Sequence, residues 1–542
     1  MNSVQERVVG FVEQADRASQ APGQKYNDDS RPKILDFKPP EELKAVFSEG
    51  LTSSGQGHDG LVRIVDDLLK YSVNTWQQGF LDKLYSSPNA PGLAAELLLG
   101  TLNANVHVYQ SAPALTVLEK VTTRRFAELF GLTGLNAGGI SVQGGSASNT
   151  TAIVVARNTL FPDTKKNGTG DHRFVLFTSA HGHYSIEKAA QMIGLGSNAV
   201  HSVPVDREGR MIPQKLDEEI QKAKDDGKTP LFVNATAGTT VLGTFDPFTE
   251  IAEICRKHKI WFHIDGAWGG AFIFSNRQKH KLEGSHMADS IAINPHKMLG
   301  VPLTCSFLLG ADMTQFHESN TLPAGYLFHN DVSDGSEVWD LGDLTLQCGR
   351  RGDALKMFLN WNYIGSSGYE ERIDAASEVA VHLCNLISES PDLILLSENP
   401  PPCFQICFFY APFKQMVHSS DKVADEAERG KLNGEITSMI ANDLIEQGFM
   451  VDYAPPAAAQ VEGDGKYLRC VVNLHTKKET VERLVEVVLQ LGAKAVRKQR
   501  GLELNGNFVN PNQAPAPGQR PKHPLEMGRG PQGAPAASDF VL

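Results

Sequence analysis

The sequence is poor in cysteine. Seven are scattered over 542 residues, at positions 255, 305, 348, 384, 403, 407 and 470; the number is odd and no CxxC pair occurs. That excludes a disulfide framework and suits reduced thiols in a cytoplasmic protein. Cys403 and Cys407 lie four apart, but no partner pair at zinc-like spacing accompanies them. Basic charge is also in deficit: 51 Lys and Arg stand against 63 Asp and Glu, a formal net charge of -12. Neither nucleic acid nor an anionic membrane surface is expected as the main partner. No run of about 18 apolar residues exists, so no membrane span is expected. The stretch from Met1 to Ser19 contains acids and no long apolar core, unlike a secretory signal. What remains is ordinary for a soluble globular chain, 41% hydrophobic and 21% charged, with length for two or three structural units.

Against that background one stretch stands out, Asn294-Pro295-His296-Lys297-Met298-Leu299-Gly300. It is a short polar break between the apolar runs Ser290 to Ile293 and Cys305 to Leu309, both read as buried strands. Pro295 bars a helix at Asn294, so Lys297 is presented from a loop beside a sheet. A loop lysine is ordinarily solvated. The alternative is a Schiff-base lysine whose amine is driven toward neutrality by burial. Upstream, an apolar strand from Ile260 runs into Asp265 and then small residues, Gly266-Ala267-Trp268-Gly269-Gly270. An Asp after a strand is often a turn former. At the carboxyl end of a parallel strand it also stands where open α/β sheets bind ligands. Pyridoxal phosphate needs such an acid to keep its ring nitrogen protonated.

Four motifs in one order carry a resemblance: Lys297 with Asn294 and His296; Asp265 in HIDGAWGG; His183 in TSAHGHYSIEKAA; and Thr236 in NATAGTTVLGTFDP. Together, from about Asp82 to about Asn473, they resemble the group II pyridoxal-phosphate decarboxylases, in the branch of glutamate and cysteine-sulfinate decarboxylase. The resemblance implies a fold-type I α/β enzyme using pyridoxal 5′-phosphate and acting as a homodimer. It implies Lys297 as the cofactor lysine, Asp265 at the ring nitrogen and His183 stacked on the ring. Thr236 is placed near the ring's 3′-oxygen, Ala267 under the ring, and Ala147, Ser148 and Asn149 at the phosphate. Asn294 and His296 flank the lysine in the same site. His181 is a distractor two residues before His183.

Along the chain, residues 1 to about 60 read as polar and broken, with a linker around Pro22 to Arg31, and 1–115 as a partly flexible, helical, dimer-associated amino-terminal segment. From 116 to 375 strands and helices alternate, implying a largely parallel sheet covered by helices on both faces. Its first Gly-rich turn, Gly138 to Asn149, opens a helix whose free N–H groups suit a phosphate. The pattern changes near Ser377, and 376–500 reads as a smaller α+β domain. The Pro- and Gly-rich residues 501–542 read as a disordered tail.

The substrate-side residues follow from the resemblance. Arg469 matches an arginine that clamps the α-carboxylate, a task suited to guanidinium. Asn105 is as in the glutamate-acting members. His107 replaces a phenylalanine or tyrosine, and Lys83 replaces a glutamine of the animal glutamate enzymes. A lysine and a histidine there suit a distal carboxylate or sulfinate; a surface lysine and a core histidine are the alternatives. No tyrosine lies between Tyr326 and Tyr363, although many relatives carry in that loop a tyrosine that protonates the carbanion. His329 or His183 would serve instead, or the intermediate reacts with oxygen to give an aldehyde. The expected reaction is decarboxylation of an acidic amino acid: glutamate, aspartate or cysteine sulfinate. An aldehyde product, an aromatic substrate and a catalytically silent homologue are the rivals.

Overall fold

The computed structural model describes residues 2–19, 33–322, 337–417, 426–455 and 465–499. Two sheets organise them. Strands β1 (Phe80–Leu81), β2 (Gly138–Val142), β3 (Phe174–Ser179), β4 (Val200–Val203), β5 (Thr229–Thr236), β6 (Trp261–Gly266), β7 (Ser290–Ile293) and β8 (Ser306–Gly310) precede β9 (Leu393–Leu395), β10 (Gln405–Tyr410), β11 (Met450–Ala454) and β12 (Tyr467–Val471). The large sheet has the order β2-β8-β7-β6-β5-β3-β4. Its run from β7 to β4 is parallel, while β8 pairs antiparallel with both neighbours. β3, β6 and β7 are buried along their whole length, as strands covered by helices on both faces must be. The α/β reading holds, and Pro204 follows an edge strand.

Register places the site. Thr236 at the end of β5 pairs with Asp265 on β6, and Asp265 with Ala292 on β7. The carboxyl ends of three adjacent parallel strands thus share one rim, and Lys297 follows β7 by four residues. Ligands bind at that rim in open α/β sheets.

The small sheet has the order β1-β11-β12-β10-β9. Its edge strand β1 comes from the amino-terminal part of the chain and runs parallel to β11, which carries Asp82 and Lys83 into the carboxyl-terminal part of the molecule. Three expectations need correction. Residues before 60 contain helices, Asn2–Ser19 and Pro40–Ser48; the first buries Ala15 and packs on the helix Gly57–Tyr71. Its apolar residues form a sparse stripe, hence the polar reading. The boundary expected near Ser377 falls inside a helix that begins at Ala354 and runs to Glu389, with a break at Gly365, where φ is 75°. Its buried positions Tyr369, Ile373, Ala376, Ala380, Leu383 and Ile387 keep helical spacing straight through the supposed boundary. Strand β11 was not anticipated, being five residues long.

The linker at Pro22 to Arg31, His329 with most of its loop, and the tail 501–542 lie outside the described residues. No helix among the described residues is long and apolar enough to cross a membrane.

Candidate active site

Lys297 sits in a turn closed by its own N–H donating to Asn294 O at 3.0 Å. Burial lowers the pKa of its amine, against the opposing pull of Asp265. The turn is held from below. His296 Nδ1 lies 2.8 Å from Cys305 O and 3.2 Å from Ser306 Oγ at the start of β8. Burial pushes that imidazole down to about 4, so it is neutral. The Asn294 amide, oriented to satisfy both ends, donates to Ser306 Oγ at 3.1 Å and accepts from Gly145 N–H at 3.3 Å.

Asp265 anchors a second network. Its Oδ1 accepts from Ala267 N–H at 3.1 Å and its Oδ2 from Asn149 Nδ2 at 2.9 Å. Asn149 Nδ2 also donates to Ser185 Oγ at 2.9 Å, and Asn149 Oδ1 meets His263 Nε2 at 3.1 Å. Burial alone would raise the Asp265 carboxyl. The Asn149 bond, with His183 and Lys297 beside it, outweighs this and holds the group below the ordinary range, so it stays ionised. His183 is lowered by burial. Its Nδ1 accepts from Ser185 N–H at 3.2 Å, which assigns the remaining ring proton to Nε2. His181 instead turns toward Gly209.

The helix Gly145–Leu160 starts against this pair. Gly144 has φ 90°, a conformation that glycine alone takes easily. A Cβ on Gly145 would lie 3.0 Å from the Asn294 side chain and 3.4 Å from the Ala267 methyl, so the Gly-rich turn touches both neighbouring motifs. The N–H groups of Ala147 and Ser148 already donate to Gly144 O, at 3.0 and 3.1 Å. The first N–H groups of the helix, on Gly145 and Ser146, have no partner within the helix. The Asn149 side chain, expected at the phosphate, is committed to Asp265, because it lies on the face of the helix that packs on β6. Thr236 presents a buried hydroxyl without a hydrogen-bond partner, while its N–H donates to Asp246 Oδ2 at 2.7 Å. A buried orphan hydroxyl signals a missing polar group.

Residues 40–411 match the pyridoxal-dependent decarboxylase conserved domain. The chain belongs to the pyridoxal-dependent decarboxylase family. It is 48% identical over 503 residues to the L-aspartate decarboxylase dtxS4 of Metarhizium robertsii, covering 92% of this chain and 96% of the relative. It is 38% identical to the glutamate decarboxylase-like protein FG08083 of Gibberella zeae, covering 84% and 92%. The crystal structure of mouse CSAD superposes with a TM-score of 0.79 at 32% identity, covering 91% of this chain and 98% of the other. The decarboxylase uses pyridoxal phosphate, and the residues present fit that group. An amine turned toward neutrality, an ionised buried acid, an orphan hydroxyl and a helix amino terminus meet at one rim.

This decarboxylase also has a charge cluster between the two sheets. Arg469 pairs in register with Asp452 on β11 and Cys407 on β10. Its Nη1 donates to Thr240 O at 3.0 Å, and its Nη2 to Asp82 O at 3.2 Å and Asp452 Oδ2 at 2.6 Å; its buried Nε has no partner. Lys83 Nζ lies 3.0 Å from the same Asp452 oxygen and 3.3 Å from Asp82 Oδ1. Asn105 and His107 are elsewhere. Asn105 Oδ1 accepts from Arg350 N–H at 2.8 Å, and His107 Nδ1 lies 3.1 Å from Asn105 O. Among the described residues no hydrogen bond or ion pair joins them to Lys83 or Arg469. Sequence reasoning missed Asp452, Asp246 and Gln405. The Gln405 amide ties Trp268 Nε1 (2.9 Å) to Thr239 O (2.9 Å) across the two sheets. The three missed residues share no pattern in the sequence: Asp246 lies in the loop after β5, Gln405 opens β10 and Asp452 is a half-buried residue inside β11.

Proposed function

We propose that this decarboxylase acts on a short acidic L-amino acid, L-aspartate before glutamate or cysteine sulfinate, releasing carbon dioxide and the corresponding amine. The observation that carries the reading is the pairing of two cations, Lys83 and Arg469, beside the loop that leaves β5. A substrate with two carboxylates needs two such groups. The name of the 48% identical relative supports the same substrate.

Bound pyridoxal phosphate supplies the electron sink for the pair left at Cα when carbon dioxide departs. Lys297 would hold it through its side-chain nitrogen, a task that needs the neutral amine that burial favours. Asp265, kept ionised, holds the proton on the ring nitrogen. The Ser146 N–H at the helix start, with Ser148, would hold the phosphate, the Gly145 N–H being given to Asn294, and Thr236 Oγ would hold the ring oxygen. His183 and Ala267 flank the ring, and Asn294 and His296 fix the turn that carries Lys297. Arg469 takes the α-carboxylate and Lys83 the side-chain carboxylate, with Asn105 and His107 contributing from a second subunit. His183, neutral and protonated at Nε2, is the proton donor to Cα among the described residues.

The homodimer is supported by an exposed apolar face, Leu93, Leu97, Leu98 and Leu102 of the helix Ala90–Leu102 with Val121 nearby in sequence. Large exposed patches mark interfaces, and light scattering at twice the 59.0 kDa chain mass checks it. A cytoplasmic location is supported by seven free cysteines, six of them buried.

The test is a substrate screen on protein loaded with pyridoxal phosphate, following carbon dioxide release and oxygen uptake. Carbon dioxide from aspartate without oxygen uptake, and its loss by on the order of 10⁴-fold in Lys297→Ala, is the expected result. Carbon dioxide with stoichiometric oxygen uptake would replace the amine with an aldehyde product.

A further inference from the structure

One carboxylate holds both substrate-side cations. Asp452 Oδ2 accepts from Arg469 Nη2 at 2.6 Å and lies 3.0 Å from Lys83 Nζ. The two cations differ in freedom. The Arg469 side chain is 7% exposed and further tied to Thr240 O and Asp82 O, whereas the Lys83 side chain is 38% exposed. Lys83 reaches the cluster only because β1 lies beside β11, and in that setting Asp82 competes for its ammonium at 3.3 Å. Without a shared anion, two like charges at this spacing repel. Lys83 then turns to Asp82 or to solvent.

We infer that Asp452 is a positioning residue for substrate selection: it holds Lys83 Nζ beside Arg469 so that the two cations meet the two carboxylates of a short dicarboxylic amino acid. Two cations held by one oxygen stand close together, which suits the span of aspartate better than that of a longer diacid. Among the described residues no hydrogen bond or ion pair joins Asp452 to Lys297, Asp265 or His183. Asp452 acts through Lys83 by charge and through the register of β11 against β12, which sets it opposite Arg469.

The inference rests on the proposed acidic-substrate reading, and the experiment separates the two. Steady-state kinetics are measured on holoenzyme carrying Asp452→Asn, Lys83→Gln and both. Asp452→Asn is expected to raise KM for L-aspartate about tenfold with kcat changed less than about threefold, the size of one charge-assisted contact. In the Lys83→Gln background the same substitution is expected to cost less than about threefold, because its main client is gone. Succinate, which has two carboxylates and no amine, is expected to weaken in parallel as an inhibitor, while the absorbance of the bound cofactor stays unchanged. An unaltered KM, or an equal loss in both backgrounds, overturns the role of Asp452 and leaves the decarboxylase reading intact. Should Asp452→Asn not fold, Lys83→Gln at a half-exposed position decides alone, and an unchanged KM overturns the inference. Wild-type enzyme that turns over no acidic amino acid removes both.

Discussion

The rim of the large sheet and the charge cluster between the sheets are built on opposite plans. At the rim, Asp265, Asn149, His263 and Ser185 bond one another out of water, and Lys297 sits on a turn locked by His296 and Asn294. Each motif is a short stretch at the end of one strand, and adjacent parallel strands line the ends up. In the cluster, Asp452 and Arg469 sit opposite each other on the adjacent strands β11 and β12, Lys83 arrives from a segment 369 residues before Asp452, and the three meet through charge, Lys83 over a third exposed. The first region is preorganised for one cofactor; the second is tunable at Lys83, whose side chain is 38% exposed, beside a buried Arg469. Chemistry common to a family belongs in the first and substrate choice in the second.

The largest effect that would sharpen this contrast is at Asp265. Asp265→Asn keeps the shape and removes the charge proposed to keep the ring nitrogen protonated. We expect kcat for aspartate to fall on the order of 10³-fold, with KM changed far less. The cluster variants should do the reverse. A fall confined to KM at Asp265 would erase the division between the two regions.

The next is Asn149→Ala. Asn149 touches no substrate, yet its loss strips Asp265 Oδ2, Ser185 Oγ and His263 Nε2 of a partner in a buried site. A stability loss of ~1–3 kcal/mol is expected for buried groups left unsatisfied, measured by denaturant unfolding. Cofactor affinity is expected to fall with it. Wild-type stability would mean that the rim is not the closed network described.

The same division explains what was legible in the sequence. The β/α alternation, the strands ending at Thr236, Asp265 and Ile293, and the turn bearing Lys297 are local patterns of burial and breakers, and they were readable. The direction of the Asn149 side chain was not, because its partner Asp265 lies 116 residues away and helix periodicity does not say which polar group a buried face meets. Nor was the meeting of Lys83 with Asp452, separated by 369 residues and joined only through the pairing of a two-residue strand. Within the helical amino-terminal segment the individual helices before residue 60 were not delimited, because their apolar stripe is thin and needs its neighbour to be recognised.

The smallest effect concerns pH. His296 is held at about 4 by burial, against about 6.5 in an unfolded chain. Between those values the unfolded state takes up a proton that the folded state refuses. The stability associated with a neutral His296 is therefore fully present above pH 6.5 and is lost as pH falls toward 4, at up to about 1.4 kcal/mol per pH unit. Asp246 and Asp289, raised to about 6 by burial, work in the opposite direction over part of that window, so wild type alone reads the sum. The difference between His296→Gln and wild type cancels them. Unfolding midpoints from pH 7 to 5 should fall less steeply in His296→Gln, whatever its stability at pH 7. Lys83→Gln should follow the wild-type slope, because its ammonium, despite a burial cost, is raised by Asp82 and Asp452 above the ordinary lysine range and does not titrate there. Parallel slopes for His296→Gln and wild type would show that the turn beneath Lys297 admits a charged imidazole, and the rim would then be as adaptable as the cluster it is set against.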